Sequence, residues 1–306
     1  MKICNVEPGK NYEPTVIALG NFDGVHLGHQ KLLRCGLEKA QELGVDFSVF
    51  LFYPHPLKIL YPERKLNLLT EHEERLKILE ELGVNKVFVV PFTVQLAYTS
   101  PEDFVKNILL QIGAVHVVVG FNYSFGFQGK GDPELLKTLA EKYDFQVSVI
   151  HAQKLGSKVI SSSEIRKYLL EGEIDLATKM MGRSPSICGR VIHGDERGRT
   201  LGFPTANIEV DEDLLVPKNG VYAVESEING LRYGGMMNIG LRPTFKKESE
   251  RTIEVHFFDF QGDLYGQKIM VKIKSKLRSE KKFQGPEEII SQLHKDRQQA
   301  LYVLQQ

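Results

Sequence analysis

Apolar and polar positions along the first half of the chain follow two alternating patterns. Apolar residues at helical spacing predict helices at residues 29–43, 71–82 and 133–143. Between them, short apolar runs predict buried strands at residues 16–19, 47–52, 87–90, 115–119 and 146–150. Strands that alternate with helices of this length predict an α/β domain with a parallel, doubly wound sheet.

The pattern changes after residues 182–185 (GRSP). Gly, Asn and Pro turns separate short β-rich stretches at residues 187–192, 220–227, 232–238 and 252–260. Ile253, Val255 and Phe257 alternate with polar neighbours, as in a strand with one buried face. Residues 286–304 predict one helix with a proline in its first turn. We therefore predict two domains, 1–183 and 184–306, the second a small closed β structure with a C-terminal helix.

Charge and cysteine content exclude several classes of protein. The 306 residues carry 39 Lys+Arg and 39 Asp+Glu, and basic and acidic residues differ by only one in each predicted domain, so we expect no nucleic-acid partner. No apolar run reaches the roughly 18 residues of a membrane span, so we expect no membrane partner. Cys4, Cys35 and Cys188 lack disulfide-framework or zinc spacing and indicate reduced thiols in a cytoplasmic protein.

Residues 20–29 (GNFDGVHLGH) form the first candidate site, because they follow the first buried strand and open the first helix. Glycines and a helix N-terminus there favour a bound anion, to which His26 and His29 can both donate. A glycine-rich turn with incidental histidines and a metal pair remain alternatives. The chain contains neither a P-loop nor a GxGxxG sequence, which argues against a P-loop enzyme and weakens a dinucleotide-redox interpretation.

Residues 161–166 (SSSEIR) open another predicted helix. Ser161 and Glu164 have the spacing of a capping box, which is the structural alternative for this segment. Arg166 is predicted in the first helical turn, where a cation opposes the helix dipole. That cost is understandable if Arg166 binds an anionic ligand.

Together these two segments resemble the nucleotidylyltransferase superfamily, in particular the FMN adenylyltransferase module of bacterial bifunctional riboflavin kinase/FAD synthetases. Residues 52–56 (FYPHP) and 120–126 (GFNYSFG) resemble further loops of that module; Ser163 replaces its usual threonine. The resemblance implies a Rossmann-like domain in which the FMN phosphate attacks the α-phosphate of ATP and pyrophosphate leaves. It places His26 and His29 at the α-phosphate and Arg166 at the β,γ-phosphates. Further implied nucleotide contacts are Asn21, Phe22, Asp23, Gly24, Gly28, Asn122, Ser161, Ser162 and Ser163, and implied flavin contacts are Pro54, His55, Pro56 and Phe125.

Residues 198–207 (GRTLGFPTAN) form the second candidate site and are too rich in turn formers for a strand. The Thr205 hydroxyl and the Asn207 amide oxygen are hard ligands suited to Mg²⁺ carrying ATP phosphates, although an ordinary barrel loop explains the segment equally well. Glu254, opposite the apolar row, is either a proton acceptor for a substrate hydroxyl or a solvated edge residue.

The same loop resembles the Pro-Thr-Ala-Asn motif of riboflavin kinases. Other segments follow in the family's order: residues 220–223 (GVYA), 238–245 (NIGLRPTF), 254–256 (EVH), 259–266 (DFQGDLYG) and 277–280 (LRSE). The resemblance implies a Greek-key β-barrel with a C-terminal helix. It implies that Gly202, Pro204, Thr205 and Asn207 bind Mg-ATP, that Glu254 activates the riboflavin 5′-hydroxyl, and that Arg278 contacts the flavin or the nucleotide.

The two resemblances together predict a bifunctional enzyme that converts riboflavin to FMN and FMN to FAD, with ATP as substrate and Mg²⁺ as cofactor. Two alternatives remain open. One is a nucleotidylyltransferase for another phosphorylated substrate, which leaves the β-rich half unexplained. The other is a non-catalytic flavin-binding regulator. No oligomeric state is predicted.

Overall fold

The computed structural model describes residues 1–7, 9–194, 197–242 and 250–305. They form two compact units, one of residues 1–66 and 72–161, the other of residues 67–71 and 162–306. The division between the two units lies at residues 161 and 162, so residues 162–183 belong to the second unit. As a domain boundary, residue 183 stays a prediction. Residues 243–245 of the motif at 238–245 lie outside the described residues.

The first unit is built on a six-stranded sheet whose strand pairs are all parallel. Its strands are β1 (Lys2–Asn5), β2 (Thr15–Leu19), β3 (Asp46–Tyr53), β4 (Lys86–Pro91), β5 (Ala114–Gly120) and β6 (Gln146–Ile150), followed by a hairpin of β7 (Lys154–Leu155) and β8 (Lys158–Val159). The helices are α1 (Leu27–Leu43), α2 (Pro56–Leu60), α3 (His72–Glu81), α4 (Val94–Ala97), α5 (Pro101–Phe104) and α6 (Pro133–Tyr143). A π-helical turn, Val105–Leu109, continues α5, and Phe127–Gly129 is a 3-10 turn.

The strand order of this sheet is β1-β4-β3-β2-β5-β6, which confirms the parallel α/β prediction. The order reverses between β2 and β5, and the carboxyl ends of strands at such a reversal form a ligand crevice. Buried residues pack on both faces, around Leu33 and Phe47 on one and around Leu109 and Leu136 on the other. Because β3, β2 and β5 are adjacent and parallel, the loops that follow them lie side by side at one edge of the sheet.

The second unit is a closed barrel of six antiparallel strands with helices packed around it. Its elements are α7 (Ser162–Glu171), α8 (Ile174–Met181), β9 (Ser186–Ile192), α9 (Arg197–Thr200), β10 (Ala206–Val210), β11 (Gly220–Ile228), β12 (Leu231–Arg242), β13 (Glu250–Phe257), β14 (Lys268–Arg278) and α10 (Pro286–Leu304). Strand β14 returns beside β11, so the spatial order β14-β11-β12-β13 is a Greek key. This architecture confirms the predicted barrel with a C-terminal helix.

Two boundaries in this unit differ from the sequence prediction. The segment 198–207 is not wholly a loop, because Ala206 and Asn207 already pair with Val255 and Glu254 of β13. The strand predicted over residues 252–260 ends at Phe257, and Asp259 beyond it adopts a left-handed φ of 55°. The first difference arises because β10 pairs with β13, a strand distant in the chain. The second coincides with the left-handed backbone at Asp259.

Candidate functional site

The histidine segment lies in the first unit, at the point where the strand order reverses. It leaves the carboxyl end of β2 and enters α1 at Leu27, next to the loop that follows β5. The N-terminus of the 17-residue α1 therefore faces the ligand crevice, where a helix favours bound anions. This is the position predicted for residues 20–29.

The backbone of this segment is strained. Phe22, Gly24 and Val25 have φ values of 49°, 79° and 34°, and Val25 is β-branched, for which this region costs about 1–3 kcal/mol. The Val25 amide donates to the Phe22 carbonyl at 3.1 Å, and the Gln30 side-chain amide donates to the Val25 carbonyl at 2.9 Å. These contacts hold the turn that directs the following histidines.

His26 and His29 are brought together as predicted, with their rings stacked at a centroid distance of 3.7 Å. His26 is the N-cap of α1, and its Nδ1 accepts the His29 backbone N–H at 3.3 Å. A Cβ at Gly28 would lie 3.1 Å from the His26 ring, so glycine allows the ring to fold over the helix start. The pair is thus a preformed unit in which one nitrogen of His26 is already used for capping.

Phe22 and Asp23 are buried, at 0% and 4% exposure, so the side chains lie below the surface of the loop. The edge of the Phe22 ring packs against His29 at 5.3 Å. Both residues were predicted as nucleotide contacts, and their side chains support the loop from beneath. Their contact with a nucleotide stays a prediction.

Arg75, which the sequence prediction missed, lies on α3 beneath this loop. Its Nη1 donates to the Asn21 carbonyl at 3.0 Å, and it is 6% exposed. Burial lowers the pKa of Arg75, while the charges of Asp23 and Glu74 act in the opposite direction. In the sequence, nothing distinguishes Arg75 from the other charged residues of this polar helix. Its orientation towards the loop is determined by the fold.

We expect Arg75→Met to destabilise the first unit by about 3 kcal/mol, because it removes the cation from a buried charged cluster. The activity carried by the first unit should fall with it, while the activity carried by the barrel should be unchanged. Thermal unfolding and the two separate activity assays measure this. An unchanged unfolding transition would contradict the role given to Arg75.

The predicted flavin residues Pro54, His55 and Pro56 follow β3 at the same edge of the sheet. The Tyr53–Pro54 peptide bond is cis, and His55 caps α2 through its Nδ1, which accepts the Leu57 amide at 3.2 Å. Pro56 is the first residue of α2. The segment is a turn that leads from β3 into α2, and its contact with a flavin stays a prediction.

Asn122 and Phe125 follow β5, on the other side of the histidine loop. Asn122 is exposed, whereas Phe125 is only 5% exposed and packs against Phe104 at 5.6 Å. The structure thus leaves the Asn122 side chain accessible to a ligand and places the Phe125 ring in the core. As substrate contacts, both remain predictions.

The serine segment spans the division between the two units. Ser161 ends the first unit, and Ser162, Ser163 and Arg166 belong to the second. Helix α7 begins at Ser162, so Arg166 is its fifth residue and the predicted first-turn position is wrong. Its Nε donates to the Asn67 carbonyl at 2.8 Å, which stabilises the cation locally. The assignment of Ser161, Ser162, Ser163 and Arg166 to the nucleotide stays a prediction.

The barrel brings three polar residues of the second site into one row. Glu254 on β13 lies directly opposite Asn207 on β10 and directly opposite Asn238 on β12. Side chains opposed in this way share a face and have Cβ atoms roughly 4.5–5.5 Å apart. Asn238 is a further candidate that sequence reasoning left without a role, although it lies in a segment of the family's order.

Glu254 projects outwards from the barrel, as predicted. Ile253, Val255 and Phe257 are at most 6% exposed and fill the interior, while Glu254 is half-buried on the opposite face. A Cβ at Gly194 would lie 2.1 Å from Nδ2 of Asn207, so glycine there makes room for the Asn207 amide. The row is thus a polar site on the outer face of the barrel.

Residues 202–205, which include the predicted ligands Gly202, Pro204 and Thr205, lead into this row. The Phe203 amide donates to the Gly198 carbonyl at 2.8 Å and closes the loop into a tight turn. Gly202 lines a cavity of about 360 Å³ together with Phe203, Asp259, His294 and Arg297. The predicted nucleotide loop therefore borders open space on the same unit.

Arg278 forms an ion pair with the buried carboxylate of Asp296. Its Nε and Nη2 donate to the carboxylate oxygens of Asp296 at 2.9 and 2.8 Å, and Asp296 is 1% exposed. The Gln292 amide also donates to Asp296, at 2.8 Å. This ion pair links β14 to α10 and accounts for the position of the Arg278 side chain without a ligand. The predicted ligand contact of Arg278 stays a prediction.

The acidic, histidine and cysteine side chains and the helices of the described residues add no further site. Among the described residues, no group of three or more His, Cys, Asp or Glu side chains is arranged to hold a metal ion. In the same part of the chain, no helix combines the length and apolar character required to cross a membrane.

Comparison with known proteins identifies two family models. The model for FAD synthetase matches residues 9–164, and the model for riboflavin kinase matches residues 181–304. The two matches fall on the parallel-sheet part and on the barrel part of the chain.

Three curated relatives are named bifunctional riboflavin kinase/FMN adenylyltransferase. The Bacillus subtilis protein is 40% identical, with 94% of this chain and 92% of its own length covered. The Listeria monocytogenes protein is 43% identical, with 92% and 90% covered. The Escherichia coli K12 protein is 36% identical, with 93% and 91% covered.

A solved structure shares the whole architecture. The crystal structure described as a macrolide-efflux protein from Streptococcus pneumoniae superimposes with a TM-score of 0.89 at 30% identity, covering 97% of this chain and 98% of that one.

Proposed function

The chain belongs to the family of bifunctional riboflavin kinase/FMN adenylyltransferases, and from this premise we propose which residues carry its two reactions. It is a transferase that uses ATP with riboflavin and with FMN. The FAD synthetase match covers the parallel-sheet part, and the riboflavin kinase match covers the barrel. We assign adenylyl transfer to the histidine loop and phosphoryl transfer to the polar row of the barrel.

The observation that carries the kinase assignment is the pairing of Asn207 and Glu254 across β10 and β13. It brings a carboxylate next to the residues proposed to hold the ATP phosphates. Glu254 accepts the proton of the riboflavin 5′-hydroxyl as that oxygen bonds to the γ-phosphorus and the bond from the γ-phosphorus to the β,γ-bridging oxygen breaks. ADP leaves, and FMN is formed.

Magnesium fits the donors of this site. Thr205 and Asn207 offer a hydroxyl and an amide oxygen, which are hard ligands of the kind Mg²⁺ prefers. Both are half-buried, Asn207 within the row and Thr205 two positions before it. Mg²⁺ held by these two residues would neutralise charge on the phosphate oxygens. Gly202 and Pro204 shape the loop that presents these ligands. We extend the proposal of a Mg²⁺ requirement to both reactions.

For adenylyl transfer, we propose that the histidine pair stabilises the α-phosphate during displacement. The FMN phosphate is already an anion, so no protein base is required. Its oxygen bonds to the α-phosphorus while the bond to the bridging oxygen of pyrophosphate breaks, and N–H groups at α1 stabilise the developing charge. His29 donates from its ring, and His26, which caps α1, holds that ring in place by stacking.

The remaining predicted ligands fit this arrangement by position. Asn21, Asp23, Gly24 and Asn122 lie on the two loops that flank the strand-order reversal, and Gly28 lies in the first turn of α1. Pro54, His55 and Pro56 border it on the other side, where the flavin of FMN would lie. We propose a cytoplasmic location, since Cys4, Cys35 and Cys188 are free cysteines.

The decisive experiment separates the half-reactions. Purified full-length protein is incubated with Mg-ATP and either riboflavin or FMN, and the flavins are resolved by chromatography. We expect FMN and FAD from riboflavin, FAD and pyrophosphate from FMN, and loss of both activities on chelation of Mg²⁺. FAD from FMN alone would overturn the kinase assignment, and no flavin product from either substrate would overturn both.

A further inference from the structure

A side chain next to Glu254 connects the strand of the proposed base to the proposed nucleotide loop. His256 lies two positions beyond Glu254 on β13 and therefore on the same outer face. Its Nδ1 is 2.8 Å from the carbonyl oxygen of Pro204. This contact joins the strand to the segment directly before Thr205.

The chemistry of the contact defines the state of the ring. A carbonyl oxygen only accepts hydrogen bonds, so the hydrogen must be on Nδ1 of His256. Burial lowers the pKa of His256 more strongly than the bond to Pro204 raises it. The ring is therefore a neutral imidazole that donates from Nδ1, and this tautomer is maintained at neutral pH.

Aromatic neighbours hold the ring in place. Phe203 packs edge-on against His256 at a centroid distance of 5.2 Å, and Phe258 lies at 5.8 Å. Phe203 is 6% exposed and also contacts His294, from α10, at 5.2 Å. The His256 ring is thus held by packing against Phe203 and Phe258 and by its attachment to β13.

The contact matters because the loop is attached to β13 by very few strand pairs. The register between β10 and β13 consists of Ala206 with Val255 and Asn207 with Glu254. Towards Pro204 the pairing ends, and the side chain of His256 takes over the attachment. Thr205 lies between the two attachments, so its position depends on both.

We propose that His256 is a positioning residue of the kinase reaction, which holds the Pro204 carbonyl so that Thr205 and Asn207 present Mg-ATP to Glu254. This inference rests on the proposed function of the loop and adds a residue to it. Losing the bond frees the loop by the order of an ångström, and misplacement on that scale reduces the rate about 100-fold.

Two variants separate the hydrogen bond from packing. His256→Phe keeps an aromatic ring and removes the donor, whereas His256→Asn removes the ring and retains an N–H close to the position of Nδ1. His193→Phe is the matched control, because it makes the same change at an exposed imidazole of the same unit, which stacks on Tyr265 and not on Phe203. Full-length proteins are assayed for kcat and for the KM of Mg-ATP in FMN formation, with FMN adenylylation as an internal control.

We expect His256→Phe to lower kcat about 10- to 100-fold and to raise the KM for Mg-ATP, because the loop is misplaced. His256→Asn should restore most of the rate, and His193→Phe should match the wild type. Adenylylation should be unchanged in all variants. A simple loss of folded barrel lowers the kcat of a preparation and leaves KM unchanged.

The opposite ranking, with His256→Phe active and His256→Asn inactive, would assign the effect to packing and overturn the proposal. Equal loss in all three variants, or lower kcat at constant KM, would overturn it as well. A wild-type protein that forms no FMN overturns the proposed function and this inference together. A wild-type protein that forms FMN while His256→Phe is equally active overturns only the role of His256.

Discussion

Glu254→Gln should abolish FMN formation from riboflavin and leave the conversion of FMN to FAD intact. The amide retains the size of the side chain and its place opposite Asn207, but it cannot take the proton of the attacking hydroxyl. Loss of a general base costs about 10²- to 10⁴-fold in rate. Product analysis with each flavin as separate substrate measures both reactions on the same preparation.

The barrel offers a matched control for this variant. Glu227 on β11 is exposed, and β11 carries no residue of the polar row, so Glu227→Gln makes the same chemical change away from that row. It should retain both activities. Equal loss of both activities in Glu254→Gln would contradict two separate sites, and an unaffected kinase rate would remove Glu254 from the mechanism.

His29→Ala should have the reverse effect, so that FMN accumulates from riboflavin while FAD is no longer formed. It removes a donor placed at the N-terminus of α1, where charge develops on the α-phosphate. Removal of one such donor costs about 10²- to 10³-fold in rate. The time course of FMN and FAD from riboflavin shows the accumulation directly.

His29→Phe distinguishes donation from ring packing. The phenyl ring can still stack on His26 and contact Phe22, as His29 does at 3.7 and 5.3 Å, but it has no N–H. We expect it to be as slow in adenylylation as His29→Ala. A wild-type rate of FAD formation in either variant would contradict the role of His29.

Much of the site was within reach of sequence reasoning because its residues are neighbours in the chain. His26 and His29 are three positions apart at a helix start, so their stacking follows from local geometry. The alternation of Ile253, Val255 and Phe257 likewise predicts which way Glu254 points, and burial confirms it. Local periodicity carries this information without any knowledge of the fold.

Other features depended on contacts between distant segments. Arg75 reaches Asn21 from a separate helix, and no spacing in the chain connects the two. Arg278, predicted as a flavin contact, pairs with Asp296 of α10. The sequence shows that a cation is present, but the partner that neutralises it is chosen by the packing of β14 against that helix.

The sequence alone determined the two-part architecture, the position of the histidine pair at a helix start and the outward face of Glu254. These follow from hydrophobic periodicity and from interactions within a few residues. Only the tertiary structure decided that Asn207, Glu254 and Asn238 form one row, and that His256 reaches Pro204. Strand register determines which side chains become neighbours in a closed barrel, and register is set by the pairing of strands far apart in the chain.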